Sequence, residues 1–415
     1  MLQGWNKTTL GEVLVPKGYI RGPFGSALRR NELLSMGIPV YEQQHAIYGV
    51  RDFRFFVSDE KYKEMKRFET KPNDLIISCS GTLGKVSIIR NEDPMGIISQ
   101  ALLLLRANTN VILPQYLQYF FTSKEGYNAI VSRSSGSVQV NISKRADIEL
   151  IPLVLPPLNE QKTIVETLGA LDDKIANNSK INHHLEQIAQ AIFKSWFVDF
   201  EPWGGVMPDD WQEVSLGELC ATITKGTTPT TLKKQFVDRG INFIKAESVL
   251  DDHSIDFGKL AFIDNDTNTL LSRSIIRTRD IIFTIAGTLG RFAYVCEDLF
   301  PANTNQAVAI IRTDTSKINP VTLYSFFVGG VHSDFYTKNI QQAVQANLSL
   351  TTIRALPLSL PPEETLVEYT SLIEPIFERI FQNYAESRRL AALRDTLLPR
   401  LMSGELSVAD LTDAK

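Results

Sequence analysis

Aliphatic runs of four to eight residues, each closed by glycine or a polar cluster, recur along this chain. DLIISCS (74–80), GKVSIIR (84–90) and ALLLLR (101–106) predict buried strands, and so do DIIFTIA (280–286), GRFAYVC (290–296) and AVAIIR (307–312). A helical stretch follows each set: LPQYLQYFFTS (113–123) and NPVTLYSFFVG (319–329). Two longer segments carry a different rhythm. After Pro156-Pro157, with Asn159 as N-cap and Glu160 in the first turn, Ile164, Leu168, Leu171, Ile175, Leu185, Ala189 and Ile192 fall on alternating four- and three-residue steps. Asn178 and Asn182 interrupt that seam, where buried amides fix register at a cost in stability. A second seam runs through Leu366, Tyr369, Ile373, Ile376 and Ile380, then Leu390 and Leu397, with Asn383 polar within it and Pro375 predicted to kink it or mark its start. A helix over 160–198 would span roughly 58 Å at 1.5 Å per residue. Neither seam can shield itself, so antiparallel pairing of the two as a coiled coil is the economical arrangement.

The two halves repeat in register. Trp5 pairs with Trp211, Leu10-Gly11-Glu12 with Leu216-Gly217-Glu218, Asp74 with Asp280, Gly81-Thr82-Leu83-Gly84 with Gly287-Thr288-Leu289-Gly290 and Gln100 with Gln306, always 206 positions apart. Gln139, Asn141 and Ser143 pair with Gln345, Asn347 and Ser349 at the same offset. Chance does not hold one register over that length, so the chain is a tandem duplication. The fold expected is α+β, with domains over 1–157 and 201–362, helices over 158–200 and 363–403, and a tail over 404–415.

Composition narrows the function. The 415 residues are 43% hydrophobic and 22% charged, ordinary for a globular protein. No apolar run approaches the roughly 18 residues that cross a bilayer, and MLQGWNKTTLGEV lacks a secretion layout, so no membrane association and a cytoplasmic setting are expected. Cys79, Cys220 and Cys296 are odd in number and far apart, which fits neither a disulfide framework nor zinc. Net charge is −4, yet residues 1–150 hold 19 Lys/Arg against 14 Asp/Glu, while 151–210 hold 4 against 9. Positive charge gathers in the first globular half and the helices are acidic.

SCSGTLGKVS (78–87) looks at first like a phosphate loop. Only Thr82 and Leu83 separate its glycines, and Val86 stands where a P-loop needs Ser or Thr for magnesium. The repeated GTLG is read instead as a hairpin turn, with Lys85 and Arg291 as matched cations that can approach a ligand backbone.

Three stretches, IELIPLVLPPLNEQKTIVETLGALDDKI (148–175), AQAIFKSWFVDFEPW (189–203) and LRDTLLPRLMSGELSV (393–408), resemble the specificity subunit of type I restriction–modification systems. The first recurs more loosely as IRALPLSLPPEETLVEYTSLIEPIFERI (353–380). The resemblance implies two pseudo-twofold-related target recognition domains joined by an antiparallel helix pair, each domain reading half of a bipartite site in double-stranded DNA. It implies no chemistry and no cofactor in this subunit. The partners implied are two adenine-N6 methyltransferase subunits and ATP-dependent nuclease–translocase subunits, to which S-adenosylmethionine, ATP and magnesium belong. Accordingly, the chain shows no Asn/Asp-Pro-Pro-Tyr loop, no complete P-loop and no metal cluster.

Base and phosphate contacts call for Arg, Lys, Gln, Asn, Ser, Thr and Glu on loops. In the first copy these are Arg21, Ser26, Arg29 and Arg30, then Gln43, Gln44 and His45, then Arg133, Ser134 and Gln139, with Lys85 on the hairpin. In the second they are Lys225, Thr227, Thr228, Thr230, Lys233 and Lys234, then Lys245, Glu247 and Ser248, then Gln341, Gln342 and Gln345, with Arg291. Asn and Ser of the third loops equally suit turn and N-cap duty. Two rival readings stand beside recognition: a self-contained DNA methyltransferase or nuclease with unrecognised motifs, and a coiled-coil scaffold with no DNA role.

Overall fold

A computed structural model describes residues 4–24, 27–135, 141, 142, 144–339 and 347–407. The chain divides into two compact units, Met1–Lys174 with Leu390–Lys415, and Ile175–Arg389. The boundary falls inside both long helices, so each unit owns a piece of each.

In the first unit a four-stranded antiparallel sheet runs in the order Leu14–Arg21, Leu102–Ala107, Leu75–Ser78, Val86–Ile88. A small sheet of Phe56–Val57, Ile38–Tyr41 and Ile97–Ile98 lies beside it in the chain path, its last pair parallel. Asn6–Thr9 pairs with Pro152–Leu155. The second unit repeats this strand for strand. Cys220–Lys225, Val308–Thr313, Ile281–Thr284 and Phe292–Tyr294 form the large sheet. Ala261–Ile263, Ile241–Ile244 and Ala302–Thr304 form the small one, and Gln212–Ser215 pairs with Pro357–Leu360. Even the register matches: Ile76 faces Leu104, and Ile282 faces Ile310.

The central strands carry apolar residues on successive positions because both faces of the sheet are covered. Leu75, Ile77, Leu103 and Leu105 join one core, whereas Ile76, Leu102 and Leu104 join another on the opposite face. Ile281, Phe283 and Ile311 divide from Ile282, Val308 and Ile310 in the same way. One face of each sheet receives the paired helices, Pro114–Thr122 and Lys124–Val131 in the first unit.

The long helices span Leu158–Phe197 and Glu363–Ser403. Within the first unit, Ile164 and Leu168 are fully buried with Leu398, Leu401 and Met402, and Arg394 Nη1 donates to Asp172 at 2.7 Å. Within the second, Asn178 Nδ2 donates to Glu386 and Ser387, and Asn383 Nδ2 donates to Asn182 Oδ1 at 2.7 Å. Phe197 meets Tyr369 edge-on. As residue numbers rise on one segment they fall on the other, so the segments run antiparallel in each unit. Ala189, Tyr369, Ile373 and Ile380 are buried, while Leu171, Ile175, Leu185, Ile192, Leu366, Ile376, Leu390 and Leu397 are half-buried. Phe193 and Phe377, outside the expected seam, are also buried, at 2% and 1% exposure.

Two expectations are corrected. The first helix already begins at Leu158, with the Gln161 amide donating to Pro157 O, so Asn159 lies inside the first turn and is not the cap. Pro375 neither starts nor interrupts the second helix. It sits on the exposed side, as does Ser371, so the carbonyl deprived of its amide partner is on the solvent face.

Candidate nucleic-acid interface

Four connections meet at one end of the large sheet in each unit. The strand Leu14–Arg21 ends there, beside the start of Leu102–Ala107, and the hairpin between Leu75–Ser78 and Val86–Ile88 turns there. That hairpin carries GTLG, with φ of 64° at Gly81 and 74° at Gly84; Gly287 and Gly290 take 77° and 88°. Left-handed backbone at all four explains the glycines without any phosphate. The first loop leaves its strand through Gly22, where a Cβ would lie 1.9 Å from Ser99 O. Gly226 is its counterpart, 1.8 Å from Thr304 O. These two are 204 positions apart, so the duplication shifts register by two residues here.

Side chains tie the loops together. Gln43 Nε2 donates to Ser80 O and Thr82 O of the hairpin. In the second unit Thr288 Oγ1 donates to Ala246 O at 2.8 Å, and Arg291 donates to Val249 O. The third loops attach through Ile142 N to Cys79 O and Leu348 N to Ile285 O. Different residues thus make the same braces.

The candidate side chains separate into three groups. Arg29, Arg30, Lys85, Lys225, Thr230 and Lys233 are exposed, and Lys234, Thr227 and Thr228 half-buried. Lys85 lies over the Tyr127 ring, Arg21 over Phe24, and Thr228 Oγ1 donates to Gln306. The Arg21 Nε is buried without a hydrogen-bond partner. A second group is already engaged. Arg291 forks onto Asp251 at 2.6 Å through both Nε and Nη2, Lys245 pairs with Glu247 at 3.0 Å, Gln44 donates to Asp52 O and Arg133 to Ala129 O. Ser134 lies in a two-residue strand opposite Ile142.

The third group is a correction. His45 is fully buried: its Nδ1 accepts from the Glu42 amide at 2.6 Å and its Nε2 donates to Asp52 O at 3.0 Å. Ser248 is equally buried and donates to Lys259 O. Both shape the second loop from inside and present nothing to a ligand. Ser26, Gln139, Gln341, Gln342 and Gln345 lie outside the described residues. Ser349, in the third loop of the second copy, caps the helix Leu350–Arg354 by accepting from Thr352 N.

Pairs that the sequence reading missed hold the other end of each sheet. Arg106 forks onto Asp74, and Arg312 onto Asp280, again 206 positions apart. The matched arginines stand at the ends of ALLLLR and AVAIIR, and that was the available signal.

The profile of the type I restriction modification DNA specificity domain matches residues 3–187 and again 208–382. The chain belongs to that family. It carries the type I specificity domain twice, each match running from a sheet domain into a long helix. The HindI type I restriction enzyme specificity subunit of Haemophilus influenzae is 24% identical over 400 residues, covering 78% of this chain and 84% of its own. The MjaIX specificity subunit of Methanocaldococcus jannaschii is 26% identical over 315 residues, covering 72% and 71%. The crystal structure of the type I restriction-modification S subunit from M. genitalium superposes with a TM-score of 0.59 at 16% identity, covering 96% of both chains, which establishes the shared fold. As a type I specificity subunit the chain is the recognition component and not a catalyst. Among the described residues, no helix is long and apolar enough to cross a membrane.

Proposed function

We propose that each domain, 1–157 and 201–362, reads one half of an asymmetric bipartite site in double-stranded DNA through its converging loops. The observation that carries this reading is the pairing of one backbone frame with different side chains. Gly22 and Gly226 launch equivalent loops, yet one continues as PFGSALRR and the other as TTPTTLKK. A shared frame holding different donors and cations reads different bases. Arg21, Arg29, Arg30 and Lys85 supply the cationic edge in the first domain, and Lys225, Lys233 and Lys234 in the second. Two adenine-N6 methyltransferase subunits and nuclease–translocase subunits, working in the cytoplasm, would bring S-adenosylmethionine, ATP and magnesium. This chain supplies the address.

The test exchanges residues 1–150 for the same region of a relative, expresses the hybrid with the partner subunits, and maps methylated adenines across the genome. One half of the methylated motif should change while the other stays. If both halves changed together, independent reading by the two domains would be wrong.

A further inference from the structure

The duplication supplies an internal control at the GTLG hairpin. In the first domain the space beneath the hairpin is filled. A Cβ on Gly84 would lie 3.3 Å from the Tyr127 ring and 3.4 Å from Val131. At the 206-residue offset, Gly290 stands for Gly84, Ser333 for Tyr127 and Thr337 for Val131. A Cβ on Gly290 would meet nothing within 4 Å. Where the first domain has an aromatic plug, the second has a cavity of about 290 Å³.

The walls of that cavity have a distinct chemistry. Leu289 of the hairpin and Leu348 of the third loop are its apolar sides, and Ser333 and Thr337 bring hydroxyls from the helix Val331–Asn339. His332 lines it too, nine-tenths buried, with its Nδ1 lacking any hydrogen-bond partner. Burial, and then neighbouring His253, push His332 down to about 4, so at neutral pH it is an uncharged imidazole with one donor and one acceptor. The rim is fixed in place. Arg291 is forked onto Asp251, and His253 is stacked on Phe292 at 4.0 Å while its Nε2 sits 3.1 Å from Glu186. Apolar sides and neutral donors and acceptors, with the one rim cation already paired to Asp251, make a pocket for an uncharged planar heterocycle.

We propose that this cavity receives a single unstacked nucleobase from the half-site that the second domain reads, so that this half-site is recognised partly by extrusion and the other only by groove contacts. The proposal rests on the DNA-reading role above. A base leaving the stack is the occupant the location favours, because three of the four converging loops border the pocket; a protein side chain from a partner subunit is the competing occupant.

Ser333→Tyr restores the plug that the first domain carries. The complete complex with its partner subunits is tested on duplexes bearing its own methylated site, with 2-aminopurine placed at each purine of the second half-site in turn, the methylated adenine excepted. One position should brighten severalfold on binding by the wild type and stay dark with Ser333→Tyr, whose affinity should fall tenfold or more. Thr337→Val, which keeps the cavity open, should bind several-fold more weakly and still brighten that position. Melting curves establish that both variants are folded. The proposal is overturned if no position brightens, if brightening persists with Ser333→Tyr, or if a folded Ser333→Tyr complex binds with unchanged affinity. The last result leaves a protein side chain as occupant. A wild-type complex that fails to bind its own methylated site would instead remove the DNA-reading role itself.

Discussion

Arg106 donates through Nε and Nη2 to the two carboxylate oxygens of Asp74, both at 2.7 Å, beside a third donor at 2.7 Å, the Lys71 amide. The Asp74 side chain is 1% exposed and that of Arg106 27%. Arg312 and Asp280 reproduce the fork, with the Arg277 amide in the place of Lys71. Each pair anchors the end of a central strand far from the converging loops.

Breaking such a pair strands a charge. Asp74→Asn is therefore expected to cost about 3 kcal/mol, and Asp280→Asn about the same. Denaturant unfolding of each variant measures it. A cost under about 1 kcal/mol would mean that water reaches the guanidinium through its exposed flank and rescues it.

The amides in the helix pair predict a sign reversal. Asn383 donates to Asn182, which in turn donates to Ile380 O at 3.2 Å, all within a buried layer. Asn182→Ala leaves the buried Asn383 amide donor unmet, while Ile380 O keeps its helical partner, and should cost about 1–3 kcal/mol. Replacing Asn182 and Asn383 together by Leu should be close to neutral or stabilising. A thermal melt of the two variants decides it; equal losses for the single and the double variant would contradict the network.

Glycine substitutions should separate by position. Gly22→Ala and Gly226→Ala place a methyl group within 2 Å of a carbonyl oxygen, so each should displace the first loop of its own domain and abolish recognition of one half-site. Gly169→Ala, inside a helix with nothing nearer than the Tyr119 hydroxyl at 4.0 Å, should instead add about 0.5–1 kcal/mol of stability. Methylation mapping reads the first pair and melting reads the third. A normal methylated motif from Gly22→Ala would show that the loop does not depend on this close approach.

Salt dependence tests the exposed cations. Removing Arg29 and Arg30 together should reduce the slope of log affinity against log salt by up to about 1.8, and Lys233 with Lys234 likewise, if all four meet phosphates. The complete complex, titrated between low and moderate salt, gives the slopes. An unchanged slope removes those residues from the phosphate contacts.

What the sequence made legible was what repeats. Strand runs such as DLIISCS and DIIFTIA, the seam from Ile164 to Ile192 and the glycine turns each answer to a local rule that tertiary context does not override. The side-chain roles were harder to read. His45 and Gln43 both looked like polar loop residues, yet one faces the interior and the other clamps a hairpin nearly forty positions away. Arg291 matched Lys85 by position but is committed to Asp251, a partner that no spacing announced. Phe193 and Phe377 escaped the heptad because they pack on the domain itself, Phe193 edge-on to Phe326 and Phe377 edge-on to Tyr324.

The division of both helices between the units has a consequence for how the protein is made. Leu398, Leu401 and Met402 complete the core around Ile164 and Leu168, although the ribosome adds them more than 200 residues later. At about 5–20 residues per second, the first unit waits roughly 10–50 s with an apolar groove open. During that interval its missing segment does not yet exist, and any similar helix from a neighbouring nascent chain can take its place. Newly made protein should therefore depend on chaperones and on low local concentration in proportion to the time its own last helix takes to emerge.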